Sequence, residues 1–313
     1  MRGGVANVNT FARQAVVVAC LGLLLSATVR ETHAQARRPG GEPPVYLQGK
    51  ADQAEGRKIL EEFRKTGWGL GGGYYLEFEL RVRPLKGDER VVPGRLWGGS
   101  NAHGPVSRVV LQPGVKGAER RLLAQVGAES AVWSWADDKG GVAAVGATAW
   151  FAPLGGTDLT AFDLQMPFLW WDDFTFEGVA PGAETRPANV FLLRPPAALA
   201  ALRPELTGVR VWLDTQFNAL AKAVELGKDG VPLKSIAVLD LQKIDLLTAG
   251  KKTGEQWIVK AIDLRDDITR NKTQFAVTGA ALGLTFPAAQ FEPARLADAI
   301  APPPADRVQQ IAP

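Results

Sequence analysis

A mainly β fold, with its strands in one large antiparallel sheet that curls or closes, follows from three features of this 313-residue sequence. Apolar and polar residues alternate with a period of two over many short segments, the signature of half-buried strands. Turn-forming clusters separate these segments at roughly ten-residue intervals, the spacing of all-β folds. Few stretches carry a helical period, and no internal repeat or mid-chain linker divides the chain.

In chain order, residues 52–65 read as a helix: Ile59, Leu60 and Phe63 share one face, opposite Glu55, Lys58 and Glu62, and Gly67 ends it. The clearest strand follows, where Leu76, Phe78, Leu80 and Val82 alternate with Glu77, Glu79, Arg81 and Arg83. Pro84 and Lys86-Gly87-Asp88 turn the chain. Further strands are expected at 91–97, 106–111, 119–126, 131–135, 142–150, 174–179, 189–194, 209–215, 219–226, 233–243, 256–264 and 272–279. Asp229-Gly230 between two of them is a hairpin signal. Helical pieces are expected near 159–171 and 197–202. Pro302-Pro303-Pro304 opens a loose tail.

The N-terminus reads as an export signal. Arg2 and Arg13 precede an uncharged run of 15 residues, 15–29, and Ala34-Gln35-Ala36 supplies a small-x-small cleavage pattern. That run is shorter than the roughly 20 residues of a membrane-spanning helix. Cys20 sits in a loose lipobox-like context, with too little apolar chain ahead of it for that reading. Cleavage after Ala36 takes away Arg2, Arg13, Arg30 and Glu31, so the formal charge of +3 falls to about +1. No basic block points to nucleic acid. The single cysteine excludes a disulfide framework or a Cys-based metal site. His33 and His103 are the only histidines, so a histidine cluster is excluded too. The organisation expected is a signal at 1–36, a leader at 37–50, one domain at 51–296 and a tail at 297–313.

Motifs that could carry catalysis have plain structural readings. Gly67, Gly69 and Gly72 spell a G-x-G-x-x-G string, but a helix precedes it and a strand follows, the reverse of a dinucleotide site. Asp137/Asp138, Asp172/Asp173 and Asp266/Asp267 are paired acids of the kind turns use. Asp172-Asp173 follows Leu169-Trp170-Trp171 and keeps a carboxylate-dependent hydrolase in view. His103 reads as a loop residue. The chain holds nine Trp and three Tyr, and an aromatic-rich curved sheet with few helices to cover it offers an apolar hollow.

The order of several segments resembles the outer-membrane lipoprotein-sorting proteins of the LolA-like family. Residues 151–160 (Phe-Ala-Pro-Leu-Gly-Gly-Thr-Asp-Leu-Thr), then Asp163-Leu164 and Phe168-Leu169-Trp170-Trp171, carry the first part of the likeness. Val209-Arg210-Val211-Trp212-Leu213-Asp214, the hairpin around 228–230, Trp257-Ile258-Val259 and Asp267-Ile268-Thr269-Arg270 carry the second. The stretch from Leu284 to Phe291-Glu292-Pro293 resembles the closing segment, so the likeness runs from Tyr74 to Pro293. An insertion at 246–253 departs from the pattern and is expected to break one hairpin. The resemblance implies an incomplete, half-open antiparallel β-barrel with a few helices over its concave face. It also implies a monomeric periplasmic carrier, without catalysis or cofactor, peripheral to the outer membrane. Such a carrier shields the acyl chains of lipids or lipoproteins between a membrane transporter and an outer-membrane acceptor. A ~16-carbon chain costs about 12 kcal/mol to hold in water, at roughly 0.8 kcal/mol per CH₂. The wall expected to offset this is Leu76, Phe78, Leu80, Val82, Val209, Val211 and Leu213, with Trp133, Trp135 and Trp150. The alternative is the same fold serving as an accessory protein to an envelope exporter.

Overall fold

The computed structural model describes residues 51–66, 72–136, 141–182, 186–216, 219–248 and 251–312. The expected signal, Cys20, His33, the leader, most of the glycine string and Asp137/Asp138 lie outside the described residues.

Helix α1 (Gln53–Thr66) is followed by β1 (Gly73–Arg83), β2 (Arg90–Asn101), β3 (Gly104–Leu111), β4 (Arg120–Gln125), β5 (Ala131–Ala136) and β6 (Val142–Ala144). Next come α2 (Ala161–Gln165), β7 (Phe174–Pro181), β8 (Pro187–Leu193), α3 (Ala197–Leu202), β9 (Gly208–Asp214) and β10 (Ala219–Leu226). The chain closes with β11 (Pro232–Thr248), β12 (Lys251–Asp266), β13 (Lys272–Leu284) and the short β14 (Gln309–Gln310). All strands belong to one sheet, in the order β6-β5-β4-β3-β2-β1-β13-β12-β11-β10-β9-β8-β7, with β14 paired to β13. The pairs along that path are antiparallel, and the sheet is not closed.

Two consequences of that order shape the molecule. The two edges, β6 and β7, are consecutive in sequence, so residues 145–173 must cross the sheet from one edge to the other. Laid flat, thirteen strands would measure about 58 Å. Instead the face curls around the crossing segment. A single buried cluster joins Val132 of β5, Leu122 of β4, Phe78 of β1, Phe275 of β13, Val211 of β9 and Phe176 of β7 to α1 and α2. The seam in the middle of the sheet joins β1 to β13, with Leu80 opposite Phe275, and the rings of Phe78 and Phe275 stack across it at 4.5 Å.

The period-two pattern of β1 divides its side chains between faces as expected: Leu76, Phe78 and Leu80 enter the helix-covered face, and Tyr75 the other. Gly94 lies opposite Phe78 and leaves room for its ring; a Cβ there would come within 2.2 Å of it. The hairpin at 228–230 turns through Asp229 (φ 58°) and Gly230 (φ 74°), the left-handed pair its sequence suggests.

Three expectations need correction. The strand expected at 142–150 stops at Ala144, because the chain turns through a 3-10 segment at Ala147–Ala149 and leaves the sheet edge. The insertion at 246–253 does not break its hairpin. Leu246 pairs with Gly254, Leu247 with Lys252 and Thr248 with Lys251, so the added residues lengthen β11 and β12. The tail is not loose across 297–312: Leu296, Ile300 and Val308 pack on the second face and β14 adds to the sheet. The Gln309 side chain accepts from Asp245 N–H (3.0 Å) and donates to Asp245 C=O (2.8 Å), filling a place beside β11. Beneath this tail Arg108, almost fully buried, donates to the carbonyls of Gln290, Arg295, Leu296 and Asp298. Burial, then the charge of Arg121, pulls its pKa down to about 10, against Asp298.

Candidate functional site: the covered face and its openings

The crossing segment is built to fill the curled face. Thr160 caps α2, accepting from Asp163 N–H (3.2 Å) while Asp163 Oδ2 accepts from Thr160 N–H (2.7 Å), a reciprocal capping box. Met166 takes a left-handed conformation (φ 42°) and Pro167 follows, so the helix expected over 159–171 divides into α2 and a 3-10 turn, Pro167–Trp170. This folding sends Leu159, Phe162, Leu164, Met166, Phe168, Leu169 and Trp171 into the interior, all buried. The rings of Phe151, Phe162, Phe168 and Trp171 lie 4.6–6.4 Å from one another in a chain of aromatic contacts.

Polar bonds tie the segment down at both ends. Arg64 of α1 donates to the carbonyls of Leu169 and Trp171, both at 2.7 Å. Lys234 of β11 bonds the Asp163 carboxylate and the Asp158 carbonyl (2.6 Å). Asp158 also accepts from the Thr273 hydroxyl (2.7 Å) on β13. Next to this pair Glu225 of β10 is buried, with Arg203 Nη1 3.2 Å from its carboxylate, and Arg203 lies over the Phe151 ring at 3.8 Å. Burial, reinforced by Asp163, pushes the Glu225 carboxyl up to about 7, while Arg203 and Lys234 pull the other way.

Three spaces adjoin the segment. Inside, Phe78, Leu96, Ile262, Phe275, Leu164 and Met166 line a small apolar cavity of about 30 Å³, room for roughly two water molecules. A cleft of about 420 Å³ opens at one side between Trp150, Trp170, Trp171, Pro167, Leu199 and Leu202. A polar pocket of about 210 Å³ opens near Ile268 over Arg203, Glu225 and Lys234.

The sequence-predicted wall residues divide between these places. Leu76, Phe78, Leu80, Val209, Val211 and Leu213 come together on the covered face. Val82 is buried near the end of β1, apart from that cluster. Trp150 leaves the sheet with the crossing segment and lines the side cleft. Trp133 and Trp135 sit on the opposite face, because Val132 takes the inward phase of β5. There Arg121 lies over the Trp135 ring at 4.2 Å. The acids keep to turn chemistry. Asp266 accepts from Ile268 and Thr269 N–H, and Asp173 pairs with Arg194 at 3.2 Å. Asp172 is the one carboxylate lining the side cleft among the described residues, so a facing pair of the glycosidase kind is not formed there. His103 is exposed and bonds Glu129 at 2.9 Å. No cluster of metal-binding side chains occurs among the described residues.

The network under α2 was not singled out in the sequence reading. Its signal was available: Lys234 shares the inward phase of Ile236, and Glu225 that of Ala219 and Ala223, so both are charges at core positions.

Comparison with solved structures identifies the architecture. A domain assigned to outer membrane lipoprotein sorting in Vibrio parahaemolyticus superposes with a TM-score of 0.61 at 15% identity, over 77% of this chain and 97% of that one. The fold is LolA-like. A DUF1329 family protein from Desulfovibrio piger shares it (TM-score 0.60, 14% identity, 78% and 98% coverage). So does a LolA superfamily protein from Nitrosomonas europaea (TM-score 0.52, 13% identity, 75% and 96%). No protein-family model and no curated protein matches the sequence. Within this LolA-like frame the half-open sheet and its few helices agree with the architecture expected from the sequence. Among the described residues no helix is long and apolar enough to cross a membrane.

Proposed function

We propose that this chain is a periplasmic carrier of acyl chains, from lipids or lipoproteins, exported by removal of residues 1–36 and acting without catalysis. The observation that carries the reading is the continuous apolar face, covered by the crossing segment together with α1 and α3 instead of by a second sheet. A ligand site for a molecule of acyl size needs roughly 300–1,000 Å³. The inner cavity offers about 30 Å³, so cargo enters by displacing residues 159–171 from the wall. The side cleft lined by Trp150, Trp170 and Trp171 is the place where an acyl chain first finds apolar surface. Leu76, Phe78, Leu80, Val209, Val211 and Leu213 are the wall it then meets, with Val82 at its margin.

A second reading has one observation in its favour. The interior is filled by the protein's own Phe162, Phe168 and Leu169, which suits an accessory to an envelope exporter whose partner is a protein.

The test is native mass spectrometry of the protein purified from a bacterial periplasm, followed by solvent extraction and by titration of tryptophan fluorescence with a fatty acid and a lipopeptide. The carrier reading expects copurified acyl ligand or a saturable fluorescence change, strengthened in Phe162→Ala, which opens the interior. A clean apo mass with no fluorescence response in either protein overturns it in favour of the accessory reading.

A further inference from the structure

Seven large apolar side chains are exposed among the described residues, and five of them share one rim. In the eight consecutive strands from β4 to β10, four hairpin turns point the same way: β3–β4, β1–β2, β12–β13 and β10–β11. Hydrogen bonds join them in sequence around the rim. Gln112 N–H donates to Pro93 C=O, Leu85 N–H to the Asn271 side chain (3.0 Å), and Asp267 N–H to Leu233 C=O. With strands about 4.8 Å apart, successive tips follow at roughly 10 Å.

Every tip carries the same chemistry. Val115 stands beside Lys116, Leu85 beside Lys86, Ile268 two residues before Arg270, and Val231 three residues after Lys228. Val91 adds to the second tip. These five aliphatic side chains are between 48% and 65% exposed. The four cations are exposed, and none makes an ion pair among the described residues. Most neighbouring acids are occupied. Glu89 pairs with Arg83, Glu119 with Arg121 and Asp267 with Arg265, while Asp266 holds the amides of its own turn. Asp88 and Asp229 are the remaining tip carboxylates.

Aliphatic tips that project singly, each with an unpaired cation alongside, match a soft anionic surface. The aliphatic groups enter the boundary between headgroups and acyl chains while the cations stay at the phosphates. We propose that this rim docks the protein peripherally on an anionic lipid membrane, with Val115, Leu85, Ile268 and Val231 as the inserted groups. The polar pocket over Arg203, Glu225 and Lys234 opens beside Ile268, so docking sets that mouth against the lipid. The inference concerns the outside of the rim and stands whether or not the interior carries cargo.

The test is cosedimentation of the purified exported protein with vesicles of phosphatidylethanolamine, with and without phosphatidylglycerol. Comparison is made with a variant bearing Val115→Ser, Leu85→Ser, Val231→Ser and Ile268→Ser, and with an off-rim control bearing Leu239→Ser. Expected are binding only to phosphatidylglycerol vesicles, weakening with added salt, and affinity about tenfold lower or more in the four-tip variant. The off-rim control should bind like wild type. Single Leu85→Ser and Ile268→Ser proteins give partial losses and guard against misfolding of the fourfold variant. Absence of vesicle binding by wild type, equal binding to neutral vesicles, or equal losses in the rim and off-rim variants overturns the proposal. The acyl-cargo titration is scored separately.

Discussion

Glu225 makes the stability of this protein depend on pH in a direction opposite to that of an ordinary paired carboxylate. Its pKa lies near 4.5 in an unfolded chain and is pushed up to about 7 in the fold by burial and by Asp163. Between those values the folded protein holds a proton that the unfolded chain has released. Stability from this residue is therefore full below about pH 4.5, falls as pH rises toward 7, and is level above it. Each pH unit inside the window costs up to about 1.4 kcal/mol, so the whole window is worth at most about 3–4 kcal/mol. Glu225→Gln keeps the shape and removes the titration. Urea unfolding of both proteins between pH 5 and pH 8 isolates the term, because carboxylates remote from Glu225 contribute equally to both. The expected result is a variant that gains on wild type by about 2–3 kcal/mol as pH rises across this range. Parallel pH profiles would refute the reasoning and place Glu225 in contact with water in the folded protein.

Two further outcomes are expected. Lys234→Met leaves the Asp163 carboxylate buried without its cation; the loss should be about 3–5 kcal/mol by urea unfolding, and a loss under about 1 kcal/mol would mean that the pair is open to solvent. Arg108→Leu strips the carbonyls of Gln290, Arg295, Leu296 and Asp298 of their donor, so limited proteolysis should cut within 290–298 several times faster than in wild type; an unchanged cleavage rate would show that apolar packing alone holds the segment.

Much of the fold was legible because strands announce themselves locally. The alternation in β1, the left-handed Asp229-Gly230 turn and the Ile59, Leu60 and Phe63 face of α1 each depend on a few neighbouring residues. The covered face of β9 was legible for the same reason. The misplacements arise where a distant partner decides. Trp133 and Trp135 looked like wall because they are large and aromatic, but the phase of Val132 and the arrival of the C-terminal segment put them on the other side. Trp150 lies six residues beyond the end of β6, where the crossing to β7 begins. The Gly-Thr-Asp-Leu-Thr motif was visible as a string, yet its work depends on Thr273 and Lys234, more than 70 residues away. Charge at a core phase was the overlooked signal, and it marks Lys234 and Glu225 as clearly as alternation marks Leu80.

The seam between β1 and β13 has a consequence for how the chain is made. It pairs residues roughly 200 positions apart, and loop closure over that length is slow. The strands of β1–β6 and of β7–β12 can each form hairpins as they emerge, but neither half encloses anything alone. A chain cut short before Lys272 keeps its local turns and has no inside: its apolar faces stay bare and its unpaired borders invite aggregation. Closure of the seam is thus a length check. The molecule acquires an interior only after nearly the whole polypeptide has been delivered, which leaves truncated products exposed to proteolysis while finished ones are protected.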